Sequence, residues 1–194
     1  MSEIVIIDTE TSGINSAINN VWEVAFVPLD DKKASFHAYV DLPRENVFNV
    51  YALENFNKSS TAWYENKKPA IDVYAQIEKY LTENFSSEVV LAGWNVGFDV
   101  QMMKKLAMVA GSEKSGSMYA NMSYRSIDIH SMLWMLRDAG YMYAAFELSS
   151  TEAFKHFGVA PPDKERHTAL GDAIATQKLF KGIRALMNSI VDEW

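Results

Sequence analysis

A chain of 194 residues that is 48% hydrophobic is long enough for one compact domain, which would bury about two-thirds of the surface of its unfolded chain. The absence of cysteine excludes disulfides, zinc–thiolate sites and thiol nucleophiles. The net charge of −7 argues against a broad basic face that holds nucleic acid, but it suits carboxylates gathered around divalent cations. We therefore expect a single domain over residues 1–194.

The first part of the chain predicts three antiparallel strands. Residues 4–7 form a short β-branched run that ends at Asp8, as a buried strand does. Residues 22–29 and 34–42 flank a polar turn that suits a hairpin. Residues 43–69 form a polar connection with scattered aromatic residues, in which short helices are expected near 51–56 and 61–65.

Helices and two further strands alternate in the rest of the chain. A glycine- and serine-rich stretch, 111–123, is expected to be a mobile loop. The patterns predict an α/β domain with a mixed central sheet of about five strands, the first three antiparallel, flanked by helices. The predicted elements are a helix that Pro69 opens, a strand at 88–92, a helix at 97–110, a strand near 124–127 and helices near 128–138, 149–157 and 168–189.

Two carboxylates stand at the end of the first strand. Asp8 and Glu10 are two residues apart, so on an extended strand both point to the same side. Like charges this close repel each other unless a cation lies between them. Thr11, Ser12 and Gly13 follow as a small, flexible turn where backbone can approach a ligand. Taken alone, the same residues are consistent with an ordinary strand that breaks into a turn.

Two more acids lie near the starts of predicted helices. Asp99 shares a helix face with methionines, and Asp172 lies beside the apolar stripe of the last helix. A carboxylate there is stabilised by the helix dipole or by a positive charge across the core. His167 lies five residues before Asp172, so the two cannot share a face of one helix. At the mouth of the helix His167 would suit a general base; the alternative is a capping or surface histidine.

Three segments together resemble the motifs of the DEDDh branch of the DEDD exonuclease superfamily, which includes proofreading and RNase T-like exonucleases. They are Ile-Asp-Thr-Glu-Thr-Ser-Gly at 7–13, Asn-Val-Gly-Phe-Asp at 95–99 and His-Thr-Ala-Leu-Gly-Asp-Ala at 167–173. Residues 22–25 are also similar to the second strand of those enzymes. The resemblance implies an RNase H-like fold and a 3′ to 5′ exonuclease that releases nucleoside 5′-monophosphates from single-stranded ends, with two divalent cations, Mg²⁺ or Mn²⁺.

The resemblance also implies a role for each motif residue. Asp8, Glu10 and Asp172 would ligate the first ion, Asp8 would bridge to the second, and Asp99 would hold waters of the second ion. His167 would take the proton of the attacking water. The implied contacts to the terminal nucleotide are Thr11, Ser12, Gly13, Asn95 and Phe98.

Several residues depart from the family pattern or lie outside it. Trp94 stands where these enzymes often have a histidine, and we expect it to pack in the core. Asp128 is expected to cap a helix rather than bind a metal. Trp63 or Tyr64 could stack on a base, but burial is the favoured role.

An active enzyme is favoured over an exonuclease-like module that only binds nucleic acid or a polymerase, because all four carboxylates are present. The motifs address phosphate and a 3′ end rather than the sugar; DNA is favoured, with an exoribonuclease as the alternative. A polymerase partner is not indicated, since the chain ends soon after its last helix, and aromatic residues in 43–69 would suit a homodimer. The N-terminus lacks a basic stretch followed by a long apolar one, so we expect a soluble, cytoplasmic protein without a membrane partner.

Overall fold

Five strands form one mixed sheet in the order β3-β2-β1-β4-β5. The structure is a computed structural model, and it describes residues 3–112 and 121–192. The strands are β1 (Glu3–Thr11), β2 (Val21–Pro28), β3 (Phe36–Tyr39), β4 (Val89–Gly93) and β5 (Met122–Asp128). The first three strands are antiparallel neighbours, whereas β4 runs parallel to β1 and β5 parallel to β4. The predicted α/β class and the predicted order of the first three strands are confirmed.

Helices cover both faces of this sheet, because successive side chains of a strand point to opposite sides. Val5 and Ile7 of β1 belong to one buried cluster, and Ile6 belongs to the other. Asp8 and Glu10 continue the same side as Ile6, so they point toward the face that carries the last helix. The helices are α1 (Val50–Asn66), α2 (Ala70–Asn84), α3 (Val96–Val109), α4 (Ile129–Asp138), α5 (Ser150–His156) and α6 (Ala169–Asp192).

The connection at 43–69 differs from the prediction. One continuous helix, α1, replaces the two short helices expected near 51–56 and 61–65. Asn49 caps it by accepting a hydrogen bond from the backbone N–H of Ala52 at 2.7 Å. Its buried side includes polar side chains, which weaken a hydrophobicity pattern although their spacing is helical. The buried residues of α1 are Ala52, Asn55, Phe56, Ser59 and Trp63.

The remaining differences concern the limits of elements. The third strand is shorter than the predicted 34–42, and the last helix continues to Asp192. Most of the loop predicted at 111–123, residues 113–120, lies outside the described residues. Among helices within residues 3–112 and 121–192, none combines the length and apolar character needed to cross a membrane.

Candidate active site

Asp8 and Glu10 lie on β1 beyond the point where its pairing with β4 stops. That pairing runs as far as Ile6 with Ala92, whereas the pairing with β2 continues through Glu10. A register shift after Glu10 then ends the regular ladder. The two carboxylates are therefore held on a rigid strand at a place where one neighbouring strand is missing and a helix can approach.

The approaching helix is α3, and it brings Asp99. Asn95, immediately before α3, has a left-handed backbone with φ 54°, and its N–H donates to the Asp128 carboxylate at 2.9 Å. Asp99 follows in the first turn and is only 4% exposed. Its Oδ1 accepts hydrogen bonds from the N–H of Thr9 at 2.9 Å and from the Thr9 hydroxyl at 2.7 Å. Thr9 separates Asp8 from Glu10 in sequence, so these bonds fix Asp99 against the same part of β1.

Asp172 and His167 come from the start of α6. Thr168 caps this helix by accepting a hydrogen bond from the N–H of Gly171 at 3.1 Å. A side chain at position 171 would lie 2.1 Å from the Glu165 carbonyl oxygen, so the glycine lets the preceding loop fold tightly over the helix. His167 precedes the helix and has a left-handed backbone with φ 62°. The helical rotation that would turn His167 and Asp172 to different faces therefore does not apply to this pair.

These elements bring the predicted acids and the histidine together. Ligand atoms of Glu10, His167 and Asp172 lie within 4.8 Å of one another. Asp8 and Asp99 complete the group electrostatically, because Asp99, Asp172 and Glu10 are among the charges that raise the pKa of Asp8. His167 and Asp172 were not expected to share one face of a helix, and they do not: His167 lies in the loop before α6 and reaches Asp172 from there.

Burial and mutual repulsion shift the pKa values of the two strand acids upward. Burial is the largest cause for both. The pKa of Asp8 lies well above its ordinary value, with Asp99 the next contributor. The pKa of Glu10 rises to about 8, with Glu23 the next contributor. Asp8 and Glu10 therefore keep their protons to a higher pH than exposed carboxylates do.

The two helix acids are shifted in the same direction by burial, but neighbours oppose the shift. The pKa of Asp99 rises to about 7 although the hydrogen bonds from Thr9 lower it. The pKa of Asp172 rises to about 6 although the charge of Arg166 lowers it. The pKa of His167 is instead lowered from 6.5, first by burial and then by the positive charges of Arg166 and Lys58. His167 is therefore neutral near pH 7 and able to accept a proton.

The raised carboxyl pKa values predict that the cation-free protein loses stability as pH rises. Protons bound more tightly in the folded state stabilise it fully below the ordinary pKa values, and this contribution is lost as pH passes through 6 to 8. Urea denaturation in EDTA should therefore give a lower free energy of unfolding at pH 8.5 than at pH 6. Mn²⁺ should largely remove the decline, and a flat profile in EDTA would contradict the prediction.

The residues fit a divalent cation. Glu10 and Asp172 offer carboxylate oxygens, the donors that suit Mg²⁺ or Mn²⁺, close to each other and to the imidazole of His167. Arg166 donates to Oδ2 of Asp172, while Oδ1 is buried and has no hydrogen-bond partner among the described residues. A buried carboxylate oxygen without a partner is costly, and a bound cation would satisfy it.

The residues predicted to contact substrate line the turn after β1 and the start of α3. The Thr11 hydroxyl donates to the Gly13 carbonyl at 2.9 Å, and the Ser12 hydroxyl donates to the Asn46 side chain at 2.9 Å. Both hydroxyls are engaged within the protein, and so are the backbone N–H and carbonyl of Ser12, which pair with Asn20 and Asn49. Asn95 is exposed and Phe98 is partly buried.

Trp63, Trp94 and Asp128 are placed as the sequence suggested, whereas Tyr64, for which burial was also favoured, is 67% exposed. Trp63 is 5% exposed, and its indole N–H donates to the carbonyl of Val40 at 2.8 Å. Trp94 packs against the cluster on the α6 side of the sheet. Asp128 caps α4 by accepting from the N–H of Ser131 at 3.3 Å.

Sequence reasoning missed three residues around the site. Tyr51 is 64% exposed, and its ring lies edge-on to His167 with centroids 6.3 Å apart. Arg166 pairs with Asp172, and Glu23 lies opposite Glu10 on β2. A charged residue within an otherwise apolar strand was the available signal for Glu23, whereas the position of Tyr51 depends on the fold.

A family model described as "Exonuclease", with the short name RNase_T, matches residues 5–180. The chain is similar to Escherichia coli exonuclease I in complex with a dT13 oligonucleotide, with 14% identity and a TM-score of 0.76 over 100% of this chain and 43% of the other. It is also similar to exonuclease I of Methylocaldum szegediense, with 15% identity and a TM-score of 0.78 over 99% of this chain and 43% of the other.

These similarities confirm the predicted RNase H-like fold. The chain spans less than half the length of the exonuclease I chains that it matches. A comparison with curated protein sequences gave no match.

Proposed function

The chain belongs to the exonuclease family, and from that premise we propose that it is a metal-dependent 3′ to 5′ exonuclease. It would hydrolyse the last phosphodiester bond at the 3′ end of a single strand and release a nucleoside 5′-monophosphate. The observation that carries the proposal is the convergence of four carboxylates and one histidine at one end of the sheet. In this proposal residues 1–194 act as one cytoplasmic exonuclease domain.

Asp8, Glu10, Asp99 and Asp172 would hold two divalent cations, Mg²⁺ or Mn²⁺. When bound, such ions activate water, neutralise the phosphate charge and stabilise the departing oxygen. The raised carboxyl pKa values support this role, because a cation bound among these acids would offset the burial and the mutual repulsion that raise them.

His167 would act as the general base. It would accept a proton from the attacking water while the new oxygen–phosphorus bond forms and the bond to the 3′ oxygen of the preceding nucleotide breaks. Its lowered pKa keeps the imidazole neutral for this task. Thr11, Ser12 and Gly13, with Asn95 and Phe98, would contact the terminal nucleotide.

Single-stranded DNA is the proposed substrate. The exonuclease I structures to which this chain is similar were determined with a dT13 oligonucleotide and, in a zinc-bound form, with single-stranded DNA. Matched DNA and RNA oligonucleotides labelled at the 3′ end, incubated with Mg²⁺ or Mn²⁺, test the proposal. Faster release of mononucleotides from DNA is expected. Release from RNA alone would assign an exoribonuclease, and no release with either ion would overturn the proposed activity.

We expect Tyr51 to contact the bound nucleic-acid strand next to His167, because the Tyr51 ring is exposed and lies edge-on to the His167 ring. A base stacked on an aromatic ring contributes roughly 1–3 kcal/mol in single-strand binders. Tyr51→Ala should therefore raise KM about 5- to 150-fold with a smaller change in kcat. Tyr124→Ala, at an exposed position near the start of the edge strand β5, is the matched control. Equal effects of the two variants would contradict a specific role for Tyr51.

A further inference from the structure

Glu23 is a buried carboxylate that the proposed mechanism does not use. It lies in the middle of the apolar strand β2 and is 0% exposed. One of its oxygens, Oε1, lies 2.7 Å from Nε2 of His37 on β3. The other, Oε2, is buried and has no hydrogen-bond partner among the described residues. A link between β2 and β3 needs only the first oxygen, so the second requires another explanation.

The position of Glu23 in the sheet places its side chain beside that of Glu10. Glu23 is the register partner of Glu10 across the β1–β2 ladder, and side chains of directly opposed residues lie on the same face of the sheet. Like charges directly opposite each other destabilise a sheet. Glu23 is the first of the charges that raise the pKa of Glu10, and it also raises those of Asp8 and Asp172. Its charge therefore acts on the acid cluster.

Two further neighbours of Glu23, Tyr39 and His37, lie on β3. Tyr39, its register partner on β3, contributes a phenol whose pKa is raised to about 12, first by burial and then by Glu23. The Tyr39 ring also packs edge-on against His37, with centroids 4.9 Å apart. His37 thus engages one oxygen of Glu23 on the β3 side, while Oε2 has no hydrogen-bond partner among the described residues and belongs to a side chain on the sheet face that Glu23 shares with Glu10.

We propose that Glu23 is a positioning residue of the cation site, a fifth carboxylate behind Glu10 whose charge and fixed orientation increase the affinity for a divalent cation. This inference rests on the cation site of the proposed function. Glu23 is not in the group of ligand atoms formed by Glu10, His167 and Asp172. It acts through Glu10 and through its charge, as residues behind metal ligands do in other proteins.

Isothermal titration of Mn²⁺ into the EDTA-treated chain of residues 1–194 tests the inference. Glu23→Gln keeps an acceptor for His37 and removes the charge; it should weaken Mn²⁺ binding about 10- to 100-fold. Glu65→Gln removes one charge from an exposed position of α1 and should change the affinity less than about twofold. Wild-type affinity in a folded Glu23→Gln variant would overturn the inference.

Thermal unfolding separates this role from a purely structural one. Without a cation, Glu23→Gln removes a repulsive charge, so its Tm should equal or exceed that of the wild type. With saturating Mn²⁺ the gain in Tm should be smaller than in the wild type. A Tm that falls equally with and without Mn²⁺ would show that Glu23 only ties β2 to β3, which overturns the inference. Glu23→Asp keeps the charge on a side chain that is one methylene shorter, so this variant should bind Mn²⁺ with intermediate affinity.

The same titration distinguishes failure of this inference from failure of the proposed function. Asp8→Asn serves as the positive control, since it should abolish tight Mn²⁺ binding. A wild-type chain that binds Mn²⁺ but releases no mononucleotide would refute the nuclease proposal and leave the Glu23 result interpretable. A wild-type chain that binds no Mn²⁺ would overturn the role of Glu23 directly.

Discussion

Asp8→Asn is expected to lower kcat for mononucleotide release by at least about 10³-fold, while the cation-free protein becomes more stable. Asp8 interacts electrostatically with the other acids of the site, since Asp99, Asp172 and Glu10 all raise its pKa. Asparagine has nearly the same shape but no charge, so it removes repulsion from the folded state and also removes a ligand that both proposed cations would share.

The stability change is measured by thermal unfolding in EDTA, where Tm should rise by about 2–4 °C, the shift that roughly 1 kcal/mol produces in a domain of this size. Asp138→Asn, at an exposed position at the end of α4, is the matched control and should retain wild-type activity. Wild-type release by Asp8→Asn would refute the assignment of Asp8. Lost activity with a lowered Tm would instead indicate damage to the fold.

The strands and the acids could be predicted from sequence because each depends on local pattern. Residues 4–7 are apolar and β-branched, and Asp8 and Glu10 alternate with Thr9, so both the strand and the shared side of the acids follow from the period of two. Asp128 was recognised as a cap for the same local reason. These predictions required no knowledge of residues distant in the chain.

Features that depend on residues distant in sequence could not be predicted in this way. The continuity of α1 depends on buried Asn55 and Ser59, which a hydrophobicity pattern counts as solvent-exposed. The contact between Tyr51 and His167 joins residues more than a hundred positions apart. The pairing of Glu10 with Glu23 depends on the register of the β1–β2 hairpin, which a one-residue slip would change.

His167→Ala is expected to lower kcat about 10²- to 10⁴-fold, the range associated with loss of a general base. The distances alone also permit His167 to be a metal ligand, since its ring nitrogen lies within 4.8 Å of ligand atoms of Glu10 and Asp172. Mn²⁺ affinity separates the two roles. If His167 is the base, its replacement leaves Mn²⁺ binding within a few-fold of wild type; a loss as large as that of Asp172→Asn would assign it as a ligand and contradict the proposal.

The pH dependence of kcat/KM gives an independent test of His167. Burial, Arg166 and Lys58 lower its pKa, so the acidic limb of the profile should lie below pH 6.5. Lys58→Met removes one of the positive charges and should move that limb toward higher pH, because the protonated imidazole is then less disfavoured. Lys79→Met, on the exposed side of α2, should leave the limb in place. A limb that responds equally to both variants would show that another group controls it, since of these two lysines only Lys58 is among the charges that lower the pKa of His167.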